Sequence, residues 1–190
     1  MENKPIFYLA HTFEIREYVR DVFTPMIHNL GIETINPFYN PDGSWREDRP
    51  EIKVADEEGK TLKWKQTVAR RKDNIVDSDL EMIFFKSDGV IALMPDISAG
   101  TLCEIWSMGL VKWFKEKNIG NGLINKPVFL VTSSKRNIRH TWVNYACDAI
   151  FTHDFDLINY LADNLDYLTT KIEANRECLK KTTYQRMSLS

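Results

Sequence analysis

The chain has 190 residues, 43% hydrophobic and 27% charged, with a formal net charge of -2. This balance fits one domain with a sizeable core and gives no reason to expect a nucleic-acid polymer as partner. Three widely spaced cysteines, Cys103, Cys147 and Cys178, make neither a CxxC pair nor an even framework, and no apolar run reaches the roughly 20 residues of a membrane span. A disulfide scaffold, a structural zinc site and a membrane partner are therefore excluded, and with no signal-peptide pattern a reducing, cytoplasmic setting is expected.

Strand and helix signals alternate along the chain. "PIFYLA" (5–10) reads as a buried strand and "EIREYVRDVFTPMIHNLG" (14–31) as a helix that Gly31 stops and Pro25 kinks or divides. "IETINP" (32–37) is a second strand, followed over 38–60 by a long loop rich in Pro, Gly, Asp and Glu. Helical signal returns over 61–86, then the strand "GVIALM" (89–94) and a helix after Gly100. "KPVFLV" (126–131) and "AIFT" (149–152) are the last two strands, and "DFDLINYLADNL" (154–165) closes the domain. Residues 1–165 are thus expected to form the domain, with 166–190 a charged, helical, peripheral extension. Apolar runs such as "VIAL" and "VFLV" between helices imply a parallel sheet of about five strands covered on both faces, an α/β three-layer fold. In such sheets ligands bind beyond the carboxyl ends of the strands, which directs attention to "HTF" (11–13), "NPFYN" (36–40) and "PDISAGT" (95–101).

The third of these leads into Glu104, a carboxylate in an otherwise apolar helix. Thr101-Leu102-Cys103-Glu104 fits the S/T-x-x-E capping box, in which the glutamate reaches back to the N-cap amide. The same position also suits chemistry, because a carboxylate in the first turn lies in the positive end of the helix dipole and stays ionised, as a nucleophile toward a sugar carbon must. Gly100 would allow a ligand close to the backbone. Asp79 is the second anomaly. Asp73, Asp77 and Glu81 follow one another at i+4 on a solvated face, whereas Asp79 lies among Ile75, Met82 and Ile83 and interrupts an apolar stripe. Asp96 ends a strand, where an aspartate also commonly turns the chain.

Other clusters carry less chemistry. Arg70, Arg71 and Lys72 precede an acidic helix and read as a solvated or paired face. Trp45, Arg46 and Arg49 in the long loop have the composition to stack on a base or hold a phosphate. His28, His140 and His153 are scattered, whereas His11 directly follows the first strand and faces the expected crevice. GxGxxG, GxxxxGK[ST], HExxH and GxSxG are all absent from the sequence, so no nicotinamide, P-loop, zinc-protease or hydrolase-elbow site is read, and no metal or cofactor is expected.

Three segments, in order, resemble the nucleoside 2-deoxyribosyltransferase family. "FYLAHTF" (7–13) is similar to its opening "IYLAGPF". "DLEMIFFKSDGVIALM" (79–94) is similar to its D-L-x-x-I-x-x-x-D helix and following strand, with one additional residue between Ile83 and Asp88. "DISAGTLCEIWSMGL" (96–110) is similar to its D…G-T-x-x-E-[IL]-G-x-A segment. The resemblance covers about the first two-thirds of the chain and implies a flavodoxin-like fold. It further implies that Glu104 attacks the anomeric carbon of a 2-deoxynucleoside, that Asp79 and Asp96 hold or protonate the departing base, and that Tyr8 orients the catalytic carboxylate.

The chain departs from the family at His11-Thr12 and at Trp106-Ser107-Met108, where small residues are usual, and at Ser98-Ala99, where an acidic residue or glycine is usual. Family members complete the site with a residue from a neighbouring subunit, a role for which "HTWVNYACD" (140–148) offers Asn144; a homo-oligomer is expected on this ground and from the aromatic surface of Trp106, Trp113 and Phe114. The expected activity is cleavage or transfer at the N-glycosidic bond of 2-deoxynucleosides or their 5′-monophosphates. Glu104, Asp79 and Tyr8 act on the bond, and Asp96, Gly100, Thr101, His11, Phe13, Arg46, Arg49 and Asn144 line the substrate. The alternative is a nucleotide-derivative binding protein that keeps the pocket without the turnover.

Overall fold

The computed structural model describes residues 4–46, 76–119 and 123–187, with side chains as far as Lys180. Five strands, β1 (Ile6–His11), β2 (Glu33–Ile35), β3 (Gly89–Leu93), β4 (Val128–Val131) and β5 (Ala149–Phe151), form one parallel sheet in the order β2-β1-β3-β4-β5. This is the flavodoxin-like order, and its switch point lies between β1 and β3, where Tyr8 pairs with Val90 and His11 with Leu93. The strands read as apolar runs because each of the central three is covered on both faces.

Strand alternation divides the core in two. Tyr8, Ala10, Val90, Ala92 and Leu130 face one layer, packed against helix α3 (Ala99–Glu116) and the short helix α5 (Thr141–Ala146), which helix α4 (Lys135–Arg139) precedes. Phe7, Leu9, Ile91 and Phe129 face the other, packed against helix α1 (13–28) and helix α6 (Asp154–Met187). Helix α6 runs unbroken through residues 165 and 166, and beyond that expected boundary Leu168 and Ile172 are still buried in the second cluster. Among the described residues, no helix is long and apolar enough to cross a membrane.

Helix α1 is continuous but not uniform: a 3₁₀ turn (Phe13–Ile15) and a single α turn lead into a π turn (Val19–Phe23), with Pro25 at the start of the next α segment. The pyrrolidine lacks an N–H and crowds the carbonyl four residues back, a conflict that the wider turn relieves. A second π turn (Met82–Lys86) ends helix α2, which is helical over 76–81. The residue in excess of the family pattern between Ile83 and Asp88 falls here. A π turn is the way a helix takes up one additional residue without rotating the faces on either side of it.

Gly89 begins β3 at a point where no side chain fits. A Cβ there would stand 2.5 Å from Phe7 Cε1 and 2.8 Å from the Pro127 carbonyl oxygen. Phe7 is fully buried in β1 and the Pro127 carbonyl accepts the Val90 N–H at 2.9 Å, so neither yields readily. Gly89→Ala is expected to cost about 2–3 kcal/mol of stability, read as a fall in the urea midpoint with an unchanged slope; an unaltered midpoint would show that the sheet adjusts at this position.

The end of α2 is held by a buried lysine. Lys126 Nζ donates to Ile83 O at 2.9 Å and Phe84 O at 2.8 Å, and also to Ser87 O. These are carbonyls that the helix end leaves without partners. Burial pushes the Lys126 ammonium down to about 8, against the opposing pull of the Asp88 carboxylate. An unfolded lysine titrates at 10.5, so between those values the unfolded chain binds more protons and stability rises with pH. Lys126→Met is expected to be destabilised by about 2–3 kcal/mol at neutral pH through its orphaned carbonyls. The wild-type advantage is expected to widen between about pH 8 and pH 10.5. Paired thermal melts across that range measure it, and a gap that narrows would contradict the burial argument.

Candidate active site

Helix α3 starts three residues earlier than the capping-box pattern suggests. Ser98 is its N-cap, with an extended backbone (φ -119, ψ 125) and a hydroxyl that accepts from Thr101 N–H at 3.5 Å. Thr101 therefore sits inside the first turn, Glu104 sits in the second, and the Thr101–Glu104 capping box does not form. The physical reason is that Ser98 also satisfies the N-cap preference, while Gly100, read as a boundary, lies one residue into the helix in open space. Thr101 is buried, and its hydroxyl oxygen makes no hydrogen bond among the described residues.

Glu104 is engaged elsewhere. Tyr8 Oη donates to Glu104 Oε1 at 2.7 Å, joining β1 to α3 across 96 residues of sequence. Tyr8 is fully buried and Glu104 half-buried. The phenol is fixed by the core around it, so one carboxylate oxygen is held while the group as a whole remains within reach of solvent. The fixing is local to the fold: Tyr8 points to the α3 face of the sheet, and Ile105 and Met108 on that helix pack in the same cluster. Gly109 permits the helix to lie close to α5, since a Cβ there would meet Ala146 Cβ at 2.9 Å and Trp106 Cε3 at 2.9 Å.

Asp79 lies half-buried on α2, one turn before Met82 and Ile83, and those two side chains pack in the cluster that contains Tyr8. Asp96 is exposed in the β3–α3 loop, where Oδ1 accepts the Ile97 N–H at 2.7 Å, the local turn-forming role open to it from sequence. His11 is buried, but alternation along β1 turns it to the Phe7 and Leu9 face, away from Tyr8. Its Nδ1 lies 3.0 Å from Thr12 O and its Nε2 3.4 Å from Asn36 Oδ1. Asn36 Oδ1 already accepts the Phe38 N–H at 2.8 Å, and a neutral imidazole can donate through only one nitrogen, so it cannot serve both oxygens at once.

An aromatic cluster closes the carboxyl ends of β1 and β2. His11 and Phe38 lie 4.9 Å apart, Phe13 and Phe38 5.9 Å, and Trp45 stands edge-on to Tyr39 at 5.4 Å and stacked on Phe38 at 6.4 Å. The guanidinium of Arg16 covers Phe13 at 3.6 Å. Trp45 Nε1 and Asn36 Nδ2 are buried without hydrogen-bond partners among the described residues. Part of the segment expected as a featureless loop is thus ordered: Tyr39 and Trp45 form an antiparallel bridge around a turn with Gly43 at φ 79. The chain then brings Arg46 Nη1 within 3.0 Å of Met82 Sδ on α2. Arg49 lies outside the described residues.

Asn144 is exposed on α5, with its amide donating to Ile138 O at 2.6 Å and His140 O at 3.1 Å. Trp106, one of the three aromatics taken from sequence as surplus surface, packs within the chain at 4.2 Å from Trp142; Trp113 is 40% exposed. Sequence reasoning missed Asn137. Its buried amide donates to Met94 O and Thr132 Oγ1, both at 3.1 Å, and so fixes the strand end that leads to Asp96. A polar residue in a polar loop gives no sequence signal of burial. Compared with known proteins, the chain matches no family model, no curated sequence and no solved structure.

Proposed function

We propose that this chain cleaves or transfers at the N-glycosidic bond of 2-deoxynucleosides or their 5′-monophosphates, with Glu104 as nucleophile. The observation that carries the reading is the Tyr8–Glu104 hydrogen bond, 2.7 Å long and formed between a strand and a helix remote in sequence. A carboxylate in a capping role has no need of a buried phenol, whereas a nucleophile gains from having its carboxylate held in one orientation. The π turn at Met82–Lys86 supports the resemblance independently, because it takes up the one residue by which the second segment departs from the family pattern.

In this mechanism a Glu104 oxygen forms a bond to C1′ as the C1′–N bond breaks, and the departing electron pair goes to the base nitrogen. Asp79 supplies the proton that neutralises it. Water or a second base then attacks C1′, gives its proton to the Asp79 carboxylate and releases Glu104, so two displacements retain the anomeric configuration and restore both acids. The aromatic residues around Trp45 offer faces for a base, and Arg46 a cation for a phosphate. The test is incubation with each deoxynucleoside and each 5′-monophosphate, with and without a second base, followed by chromatography. Free base or an exchanged nucleoside is the expected product; intact substrate in every reaction would leave a binding role as the better account.

A further inference from the structure

A concavity lies at the amino-terminal end of the sheet, opposite the carboxyl ends where Asp96 and the aromatic cluster sit. It measures about 620 Å³, within the range of small-molecule sites. Ile6 and the buried Ile172 contribute apolar lining, and Asp88 lines the cavity with them. The charge of Asp88 is already answered within the chain: Arg176 Nε donates to it at 2.8 Å, and the Ile6 N–H does so at 2.8 Å. The remaining rim is cationic. Lys4, Lys86 and Lys180 stand there with Glu33 as the one other carboxylate. Lys86 is paired with Glu81 at 3.0 Å, whereas no ion pair among the described residues engages Lys4 or Lys180. In a chain of net charge -2 this is a local surplus of positive charge.

The same rim carries apolar surface that the fold does not cover. Phe85 is 84% exposed at the end of α2, and Leu179 on α6 is 40% exposed. An apolar lining, two uncovered hydrophobic side chains and two uncommitted ammonium groups around one cavity fit a ligand with a matching division. We propose that this cleft binds a small amphipathic anion, a molecule that joins an aromatic ring or short acyl chain to one carboxylate, sulfonate or phosphate. The apolar part lies on Phe85, Leu179 and the isoleucines, and the anionic group is held by Lys4 and Lys180. The inference rests on the cleft alone and is independent of the activity proposed for Glu104.

The probe is 8-anilino-1-naphthalenesulfonate, titrated into the full chain at low ionic strength by fluorescence, with phenyl phosphate as competitor. Saturable binding is expected, displaced by phenyl phosphate and weakened about tenfold or more in Lys4→Glu/Lys180→Glu, where two attractions become repulsions. Phe85→Ala is expected to weaken it as well, and Glu104→Gln, at the other end of the sheet, to leave it unchanged. All three altered cleft positions are solvent-exposed, so the variants retain the fold. Binding indifferent to the double charge reversal, lost in Glu104→Gln, or absent altogether would overturn the proposal.

Discussion

Glu104→Gln is expected to keep its fold and to lose base release by roughly a thousandfold or more, as removal of a covalent nucleophile does. The substitution changes charge and nucleophilicity with almost no change in volume. Its side-chain carbonyl still accepts the Tyr8 hydroxyl that Glu104 Oε1 accepts at 2.7 Å. Stability should therefore stay within about 0.5 kcal/mol of wild type, the usual range for a near-isosteric change that keeps this hydrogen bond. A structural glutamate forecasts the reverse pairing, with turnover intact. Measuring kcat on the best substrate beside a urea titration of the same preparations separates the two, and a variant with normal kcat would remove the covalent mechanism.

Tyr8→Phe is expected to lower kcat by roughly 10- to 100-fold, the kinetic equivalent of losing one hydrogen bond to a charged group. The ring stays in a site that is fully buried, so packing is preserved and only the hydroxyl is removed. Glu104 then loses the donor that holds one of its oxygens. Two consequences follow beyond the rate. The KM should change little, because the phenol acts on the carboxylate and not on the ligand. The acidic limb of the pH–rate profile should move to higher pH, because a donor that favours the ionised carboxylate is gone. A loss of stability with unchanged kcat and pH profile would assign Tyr8 a purely architectural role.

The sheet was readable because β1, β3 and β4 are continuous apolar runs, a pattern that burial on both faces imposes on parallel strands. Glu104 was readable for the complementary reason that it interrupts an apolar helix. What it bonds to was not, since Tyr8 lies 96 residues away and only the sheet brings the two together. The start of α3 was misplaced because Ser98 and Thr101 both suit an N-cap and local pattern does not rank them; the backbone settles it by being extended at Ser98. His11 looked like a crevice residue from its place after β1, but alternation counted from Tyr8 assigns it to the other face. Asn137 and Lys126 gave no signal, because a buried amide and a buried ammonium are recognised only by the carbonyls that surround them. The additional residue before Asp88 was visible as a misfit, and only the π turn explains how the helix accommodates it.

The central claim is that Glu104 becomes covalently attached to the sugar, and the mass of the intact protein tests it directly. The protein is mixed with a deoxynucleoside, quenched in acid within the time of the first expected turnovers, weighed, and then digested. The account predicts a population heavier by one deoxyribosyl group, carried on the peptide that contains Glu104 and absent from Glu104→Gln. Free base released from an enzyme whose mass never changes, or a deoxyribosyl group found on a different peptide, would contradict it.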